Sequence, residues 1–329
     1  MKSHLKNILS ILIVVSICFA LALTTKNQIV LNAFILIFII HFISFLPANL
    51  YKTEKYFDLT GSITYISVVI YVFYSKFYNH GFQWGELIIS LAIISWAVRL
   101  GSFLFLRIKK AGEDVRFREF KKSWSRWMLT WTTSAWWVSF CSVCGITAIA
   151  SNSIIKINFL FILGFLLFLF GFIIEIIADY QKTKFRSVAS NKNKFITTGL
   201  WSLSRHPNYL GEIVLWFGIA LMSFSNLNGF QYITLISPLF TYWLLVYVSG
   251  IKILETSGQK KWGHLKTYNN YIKKLADDGK LTKFAVDKTR ELVLQKLLCK
   301  EVGPSSECFK VDLSNLVLAD KYKDYMTDE

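Results

Sequence analysis

Residues 213–251 run for 39 positions without one Asp, Glu, Lys or Arg. A membrane helix needs about 20 mostly apolar residues, so this run is long enough to cross a bilayer twice. Asn226-Leu-Asn-Gly229 is the natural turn between the two crossings. Six earlier stretches meet the same requirement: 8–24, 28–50, 59–75, 87–106, 127–155 and 157–178. The fourth carries one Arg and the sixth one Glu. The expected fold is therefore an all-α, polytopic membrane helix bundle with about eight transmembrane helices. Charged residues make up only 18% of the chain, against about a quarter in ordinary soluble domains. Seventeen Gly, four Pro and five Cys in 329 residues exclude a collagen-like chain, a disordered one and a disulfide-stapled secreted fold.

The formal net charge is +16, and its location decides what it means. Residues 1–254 hold 23 basic and 9 acidic side chains, and residues 255–329 hold 14 and 12. The excess sits in the hydrophobic part, which argues against nucleic acid as a partner. Lys2, Lys6, Lys52 and Lys55, the cluster from Arg107 to Arg126, and Lys182, Lys184, Arg186, Lys192 and Lys194 fall at the N-terminus and in alternate connections. The intervening connections hold little beyond Lys26 and Lys156. By the positive-inside rule both termini and both large basic loops face the cytoplasm, in a bacterial inner membrane or the endoplasmic reticulum. The first span, with Lys2 and Lys6 before it and Ala20-Leu-Ala22 at its end, reads as a signal-anchor or a cleavable signal peptide.

Trp124, Trp127, Trp131, Trp136 and Trp137 read as an interfacial aromatic belt. Cys141-Ser-Val-Cys144 has redox spacing but lies inside an apolar span, and Cys299 and Cys308 in the tail read as free thiols. The chain has no Gly-rich phosphate loop and no zinc-type Cys/His spacing, so no metal site is expected.

A charge at the bilayer centre costs about 2.5–3.5 kcal/mol on insertion scales, so each intruder needs a reason. Arg99 stands mid-span and either snorkels, pairs with a bundle carboxylate or serves function. The uncharged part of the seventh span, 213–225, is too short to cross, so its helix must start near Pro207, a residue suited to a first helical position. That start draws Asn208 and Glu212 into the membrane. Arg205, Asn208 and Glu212 share a face if helix extends that far, with His206 and Tyr209 adjoining. On the sixth span Glu175, Asp179, Lys182 and Arg186 form a second stripe. The two stripes are expected to line one polar pocket at the cytoplasmic interface. Arginine forks suit phosphate, carboxylates suit ribose hydroxyls and an Asn amide suits a carboxamide. A dinucleotide meets those demands, but the residues alone do not choose the ligand.

Gly199-Leu-Trp-Ser-Leu-Ser-Arg-His-Pro-Asn-Tyr-Leu-Gly-Glu212 resembles the signature of the steroid 5-alpha-reductase C-terminal domain superfamily, and most closely its uncharacterised bacterial-type membrane branch. Phe57–Tyr65, Trp96–Gly101, Arg107–Asp114, Glu175–Tyr180 and Ser249–Glu255, with Lys261-Trp-Gly263, Tyr268 and Tyr271, fit the same branch in the same order. The likeness covers about residues 56–274. It implies a membrane reductase that uses NADPH to reduce a carbon–carbon double bond in a lipidic substrate: an unsaturated ketone, a sterol-like or a fatty molecule. Carried onto this chain, the family's cofactor contacts fall on Asn208 and Glu212, and its upstream Asp and Arg on Asp179 and Arg186. Arg205, His206 and Tyr209 belong to the signature, and Glu255 and Tyr268 match its C-terminal pattern.

The family's N-terminal substrate residues have no aligned counterpart. Asp58 and Tyr65 are the candidates for polar substrate contact or proton donation, against loop capping and packing as their simpler roles. Relatives end soon after the Tyr268–Tyr271 pattern, whereas this chain continues. Residues 1–275 are read as the membrane bundle and 276–329 as a small soluble cytoplasmic tail of unknown role and unknown protein partner, with an amphipathic helix over 285–302. Two other functions compete: an S-adenosylmethionine-dependent methyltransferase of the isoprenylcysteine type, and a non-enzymatic reductase-like scaffold. The methyltransferases share an Arg-His-Pro-x-Tyr core but typically lack the Gly-Glu ending found at Gly211-Glu212. Membrane lipids surround the bundle under every reading.

Overall fold

The computed structural model describes residues 2–248 and 250–276. Cys299, Cys308 and the helix expected over 285–302 lie outside the described residues. Two units divide the chain, Met1–His264 and Leu265–Glu329. The first unit is helical throughout: α1 (Lys2–Thr24), α2 (Gln28–Leu50), α3 (Phe57–His80), α4 (Trp84–Ala111), α5 (Trp124–Ala150), α6 (Phe159–Ser187), α7 (Pro207–Phe224), α8 (Ile236–Trp243) and α9 (Ile251–Trp262). The described part of the second unit is a helix over 266–276 whose first turn is closed by the Tyr268 N–H donating to the Leu265 carbonyl at 3.1 Å.

Seven segments are long and apolar enough to cross a membrane: α1 to α6 and the run Gly229–Trp262. The chain is a multi-pass membrane helix bundle. The seventh of the eight spans read from the sequence, α7, forms as an 18-residue helix outside those seven segments. Its start at Pro207, two turns before the apolar run, gives it a polar first turn that lowers its hydropathy. The stretch expected as one span over 127–155 stops at Ala150, where Ser151-Asn-Ser153 turns the chain.

Local chemistry sets the helix ends. The Asn27 side chain accepts from the Ile29 and Val30 N–H groups, and the Asn158 side chain accepts from Phe161 N–H at 3.0 Å. Gly112 ends α4 at φ +81°, a conformation open to glycine.

α5 is the central element, packed by α1, α2, α3, α7 and α8. This corrects the aromatic-belt reading of its tryptophans. Trp127 and Trp131 are fully buried, Trp136 and Trp137 half-buried, and Trp124 alone is exposed. A helix surrounded on all sides has no lipid-facing stripe, so its indoles fill the core instead. Trp127 and Trp131 pack with Phe57 at ring distances of 5.8 and 5.1 Å. Cys141 and Cys144 are free thiols buried in the same helix.

α6 and α7 meet along a glycine seam. A Cβ added at Gly211 would sit 2.5 Å from the Gly171 carbonyl oxygen, and one at Gly218 would sit 2.5 Å from the Gly164 carbonyl oxygen. In lipid, helix association depends on close backbone packing, which small residues at the seam permit. The heptad spacing 164/171 on one helix answers 211/218 on the other and fixes their register. Gly211→Val is therefore expected to lower the unfolding temperature in detergent, by a cost of about 1–3 kcal/mol for overpacking. Gly61→Ala, whose new methyl meets nothing closer than 3.4 Å, should change it little. Equal effects from the two substitutions would contradict the seam.

Candidate functional site

Where the register of α6 and α7 is set, charged side chains gather inside the bundle. Glu175 and Asp179 stand one turn apart on α6, and Arg99 reaches both from α4. Its Nη1 lies 2.6 Å from Glu175 Oε1 and its Nη2 lies 2.6 Å from Asp179 Oδ2. Nη2 also donates to the Glu175 backbone carbonyl at 3.2 Å. Trp96 Nε1 donates to the remaining carboxylate oxygen, Glu175 Oε2, at 3.1 Å. Side-chain exposures of 16%, 3% and 9% for Arg99, Glu175 and Asp179 put this network out of water. Of the roles open to Arg99, pairing with bundle carboxylates is the one the structure takes. Buried ions persist only when paired and hydrogen-bonded, and this trio meets that condition.

α7 brings a third carboxyl group to the same place. The Gly211 backbone touches α6 at Glu175, so Glu212 arrives beside the trio, within electrostatic reach of Glu175, Asp179 and Arg99. Glu212 is 6% exposed and has no hydrogen-bond or ion-pair partner among the described residues. Asn208 one turn before it and Trp216 one turn after it share its face of α7. The Asn208 amide and Trp216 Nε1 likewise have no partner among the described residues, and Trp216 is 1% exposed.

The expectation that Arg205 joins Asn208 and Glu212 on one face is corrected. The chain becomes helical only at Pro207, and His206 has φ −142° and ψ 61°, so Arg205 points elsewhere. Glu255 of α9 holds it: Arg205 Nη1 lies 2.6 Å and His206 Nε2 2.9 Å from the two Glu255 carboxylate oxygens. The His206 ring stacks on Tyr209 at 5.8 Å. Arg205, His206 and Glu255 thus form a clamp that anchors the entry to α7 on α9. Tyr268 lies in the second unit.

At the end of α6 beyond Asp179, positive charge collects. Lys182 Nζ rests 4.7 Å from the Trp201 ring centroid, and Arg186 is exposed. Arg107, near the end of α4, lies within electrostatic reach of both, and of Asp58 and Tyr209. Arg107, Lys182 and Arg186 form no ion pair among the described residues. Asp58, at the start of α3, also senses Arg116, which is itself held by Asp114 through Nε at 2.9 and 3.0 Å. Burial works to raise the Asp114 carboxyl, but the hydrogen bonds and charge of Arg116 outweigh it and hold the group below the usual carboxylate range.

Tyr65 is 1% exposed, boxed by Trp96, Trp137 and Trp216 at ring distances of 5.1, 5.4 and 5.8 Å. Its hydroxyl reaches the Trp137 carbonyl only at 3.5 Å, and the charge of Glu212 extends to it. Trp96 entered the sequence reading only as part of the family likeness and Trp216 not at all, although their spacings gave the signal: Trp96 stands three residues from Arg99 and Trp216 four from Glu212. A second buried polar node was also missed. Lys76 of α3, 2% exposed, donates to the Ser151 carbonyl and senses the buried Glu86 of α4. It joins α3 and α4 to the turn after α5, at the opposite ends of these helices from Asp58 and Arg107.

Residues 42–275 match a family model described as "Protein of unknown function (DUF1295)". The chain is similar to a "Probable 7-dehydrocholesterol reductase" of Acanthamoeba polyphaga mimivirus, 32% identical over 105 residues, covering 27% of this chain and 23% of that protein. It is also similar to a "Probable O-methyltransferase ustE" of Ustilaginoidea virens, 36% identical over 66 residues, covering 20% and 23%. The chain thus spans less than a quarter of the length of these curated relatives. No solved structure matches it.

Arg99→Leu should leave Glu175 and Asp179 as uncompensated buried charges and cost about 3–5 kcal/mol. Thermal unfolding of the purified protein in detergent measures it, and a variant as stable as wild type would contradict the pairing as a structural requirement.

Proposed function

We propose, from the premise that the chain belongs to the DUF1295 family, that it is a membrane-embedded NAD(P)H-dependent reductase of a carbon–carbon double bond in a lipidic substrate. The observation that carries this reading is the face of α7 with the half-buried Asn208 and the buried Glu212, both unpartnered among the described residues, beside the Arg99–Glu175–Asp179 network. The superfamily signature supports it, as does the sterol reductase name of one relative, with which this chain shares a limited segment.

The donor set fits a dinucleotide. Arg107, Lys182 and Arg186, none of them in an ion pair among the described residues, offer positive charge that suits the phosphates. Asp179 sits between that basic end and the buried carboxyl groups, and Asn208 and Glu212 offer amide and carboxyl groups at the other end. The Arg205–His206–Glu255 clamp, with Tyr209 stacked on it, holds the start of α7 in place for this task. The bound dinucleotide supplies hydride to the substrate carbon. The Tyr65 phenol, boxed by Trp96, Trp137 and Trp216, is the candidate proton donor to the neighbouring carbon. Asp58 stands with Arg107 and Arg116, and so belongs with the cofactor's charged end rather than with proton transfer. On the orientation expected from the positive-inside rule, which puts the basic loops on the cytoplasmic side, cofactor enters from the cytosol and the lipidic substrate arrives laterally from the membrane.

One observation favours a second reading, S-adenosylmethionine-dependent methyl transfer: the similarity to a protein named as an O-methyltransferase. Calorimetry on the purified full chain separates the two. The reductase reading predicts saturable NADPH binding that Glu212→Gln weakens about tenfold, close to 1.4 kcal/mol. Binding of S-adenosylmethionine with no binding of NADPH would overturn it.

A further inference from the structure

On α2 the side chains that face away from the bundle lead to a basic cleft. Ile35, Ile39, Ile43, Leu46 and Leu50 are exposed and stand on one face of the helix. From Ile39 to Leu50 the helix rises about 16 Å at 1.5 Å per residue, close to one leaflet's share of a ~30 Å hydrocarbon core. Where α2 ends, the loop 51–56 faces the segment after α4 across a cleft of about 550 Å³. Tyr51, Lys52, Glu54, Lys55, Glu113 and Lys121 are among its lining residues.

The acidic groups of this cleft already have cations. Glu54, buried, accepts from Lys121 and from the Asp114 N–H at 3.0 Å, and so joins the two walls. Glu113 accepts from Arg118 Nη2 at 2.8 Å. Lys52 and Lys55 are left over. Both are exposed, and neither forms an ion pair among the described residues. Lys52 Nζ donates to Asn49 Oδ1 at 3.0 Å, a neutral amide that leaves the ammonium charge uncancelled. The Lys52 backbone has φ +49°, the left-handed position after a helix that glycine ordinarily takes, so a lysine stands there against the backbone's preference.

Two uncommitted ammonium groups at the head of an apolar stripe complement a molecule that is negative at one end and hydrocarbon beyond it. An ammonium is a compact point charge that suits phosphate. A basic pocket at the membrane surface holds an anionic head group while the tails stay in the hydrocarbon. Tyr51, exposed at the mouth, has the apolar ring and polar tip of residues found at headgroup level. We infer that this cleft binds the head group of an anionic glycerophospholipid, its phosphate on Lys52 and Lys55 and an acyl chain against Leu50, Leu46, Ile43 and Ile39. The bound lipid ties the turn after α2 to the segment after α4 from outside, as Glu54 does from within. None of these residues belongs to the face of α7, and the site stands whether or not the chain is a reductase.

Native mass spectrometry of the full chain in detergent with added lipid tests this. Wild type should hold one phosphatidylglycerol about tenfold more tightly than phosphatidylcholine with the same acyl chains. Lys52→Gln combined with Lys55→Gln should remove that preference. Lys192→Gln combined with Lys194→Gln, exposed lysines on another loop, should keep it. Glycerol 3-phosphate, which has the phosphate without the chains, should not displace the lipid. Equal retention of the two lipids by wild type overturns the inference, and that comparison decides alone if the double variant fails to fold. An equal loss in both lysine pairs also overturns it, since it shows only diffuse attraction to a basic surface. Glycerol 3-phosphate that binds as tightly as the lipid overturns it in favour of a soluble phosphate.

Discussion

A guanidinium held between two carboxylates in the interior of a membrane bundle is the constraint on which the rest depends. Arg99 ties α4 to α6, and it satisfies both carboxylates only if the two helices keep their rotation and height. The glycine seam then sets α7 against α6 with no freedom to slide, because its backbones touch at two points one heptad apart. Together they deliver Glu212 beside the trio. A charge network and a small-residue seam, each common in membrane proteins for its own reason, here converge on one unpaired carboxyl group.

Along α6 and α7 the site is graded. One end is basic, where Arg107, Lys182 and Arg186 meet the loops. Toward the middle of the helices the chemistry turns acidic, then aromatic, with Tyr65 among three tryptophans. A long polar ligand with phosphates at one end and a flat ring at the other follows the same gradient. The clamp of Glu255 on Arg205 and His206 fixes where that gradient begins, by starting α7 at Pro207.

Much of this was legible in the sequence, and the reasons for the rest are physical. The spans follow from hydropathy because lipid leaves the backbone no option but helix. The α6 stripe follows from helical periodicity, and Glu175 and Asp179 stand where it put them. Arg205 was misassigned because its place on the α7 face required helix one turn upstream of Pro207, and the chain is not helical there. The tryptophans of α5 were assigned to the membrane surface because composition does not say which helix is central. Only the packing of α1, α2, α3, α7 and α8 around α5 turns its indoles into core. The pairing of Arg99, the box around Tyr65 and the buried Lys76 all need contacts between helices that periodicity within one helix does not carry.

On the proposed reading, the face of α7 that carries Asn208 and Glu212 serves reduction of a lipidic double bond. The most direct measurement is a mass comparison of membrane lipid extract incubated with NADPH and the purified full chain, beside Glu212→Gln. One lipid species is expected to gain two hydrogens with wild type and none with the variant. An unchanged extract with wild type that binds NADPH, or a species gaining a methyl group when S-adenosylmethionine is supplied instead, would contradict it.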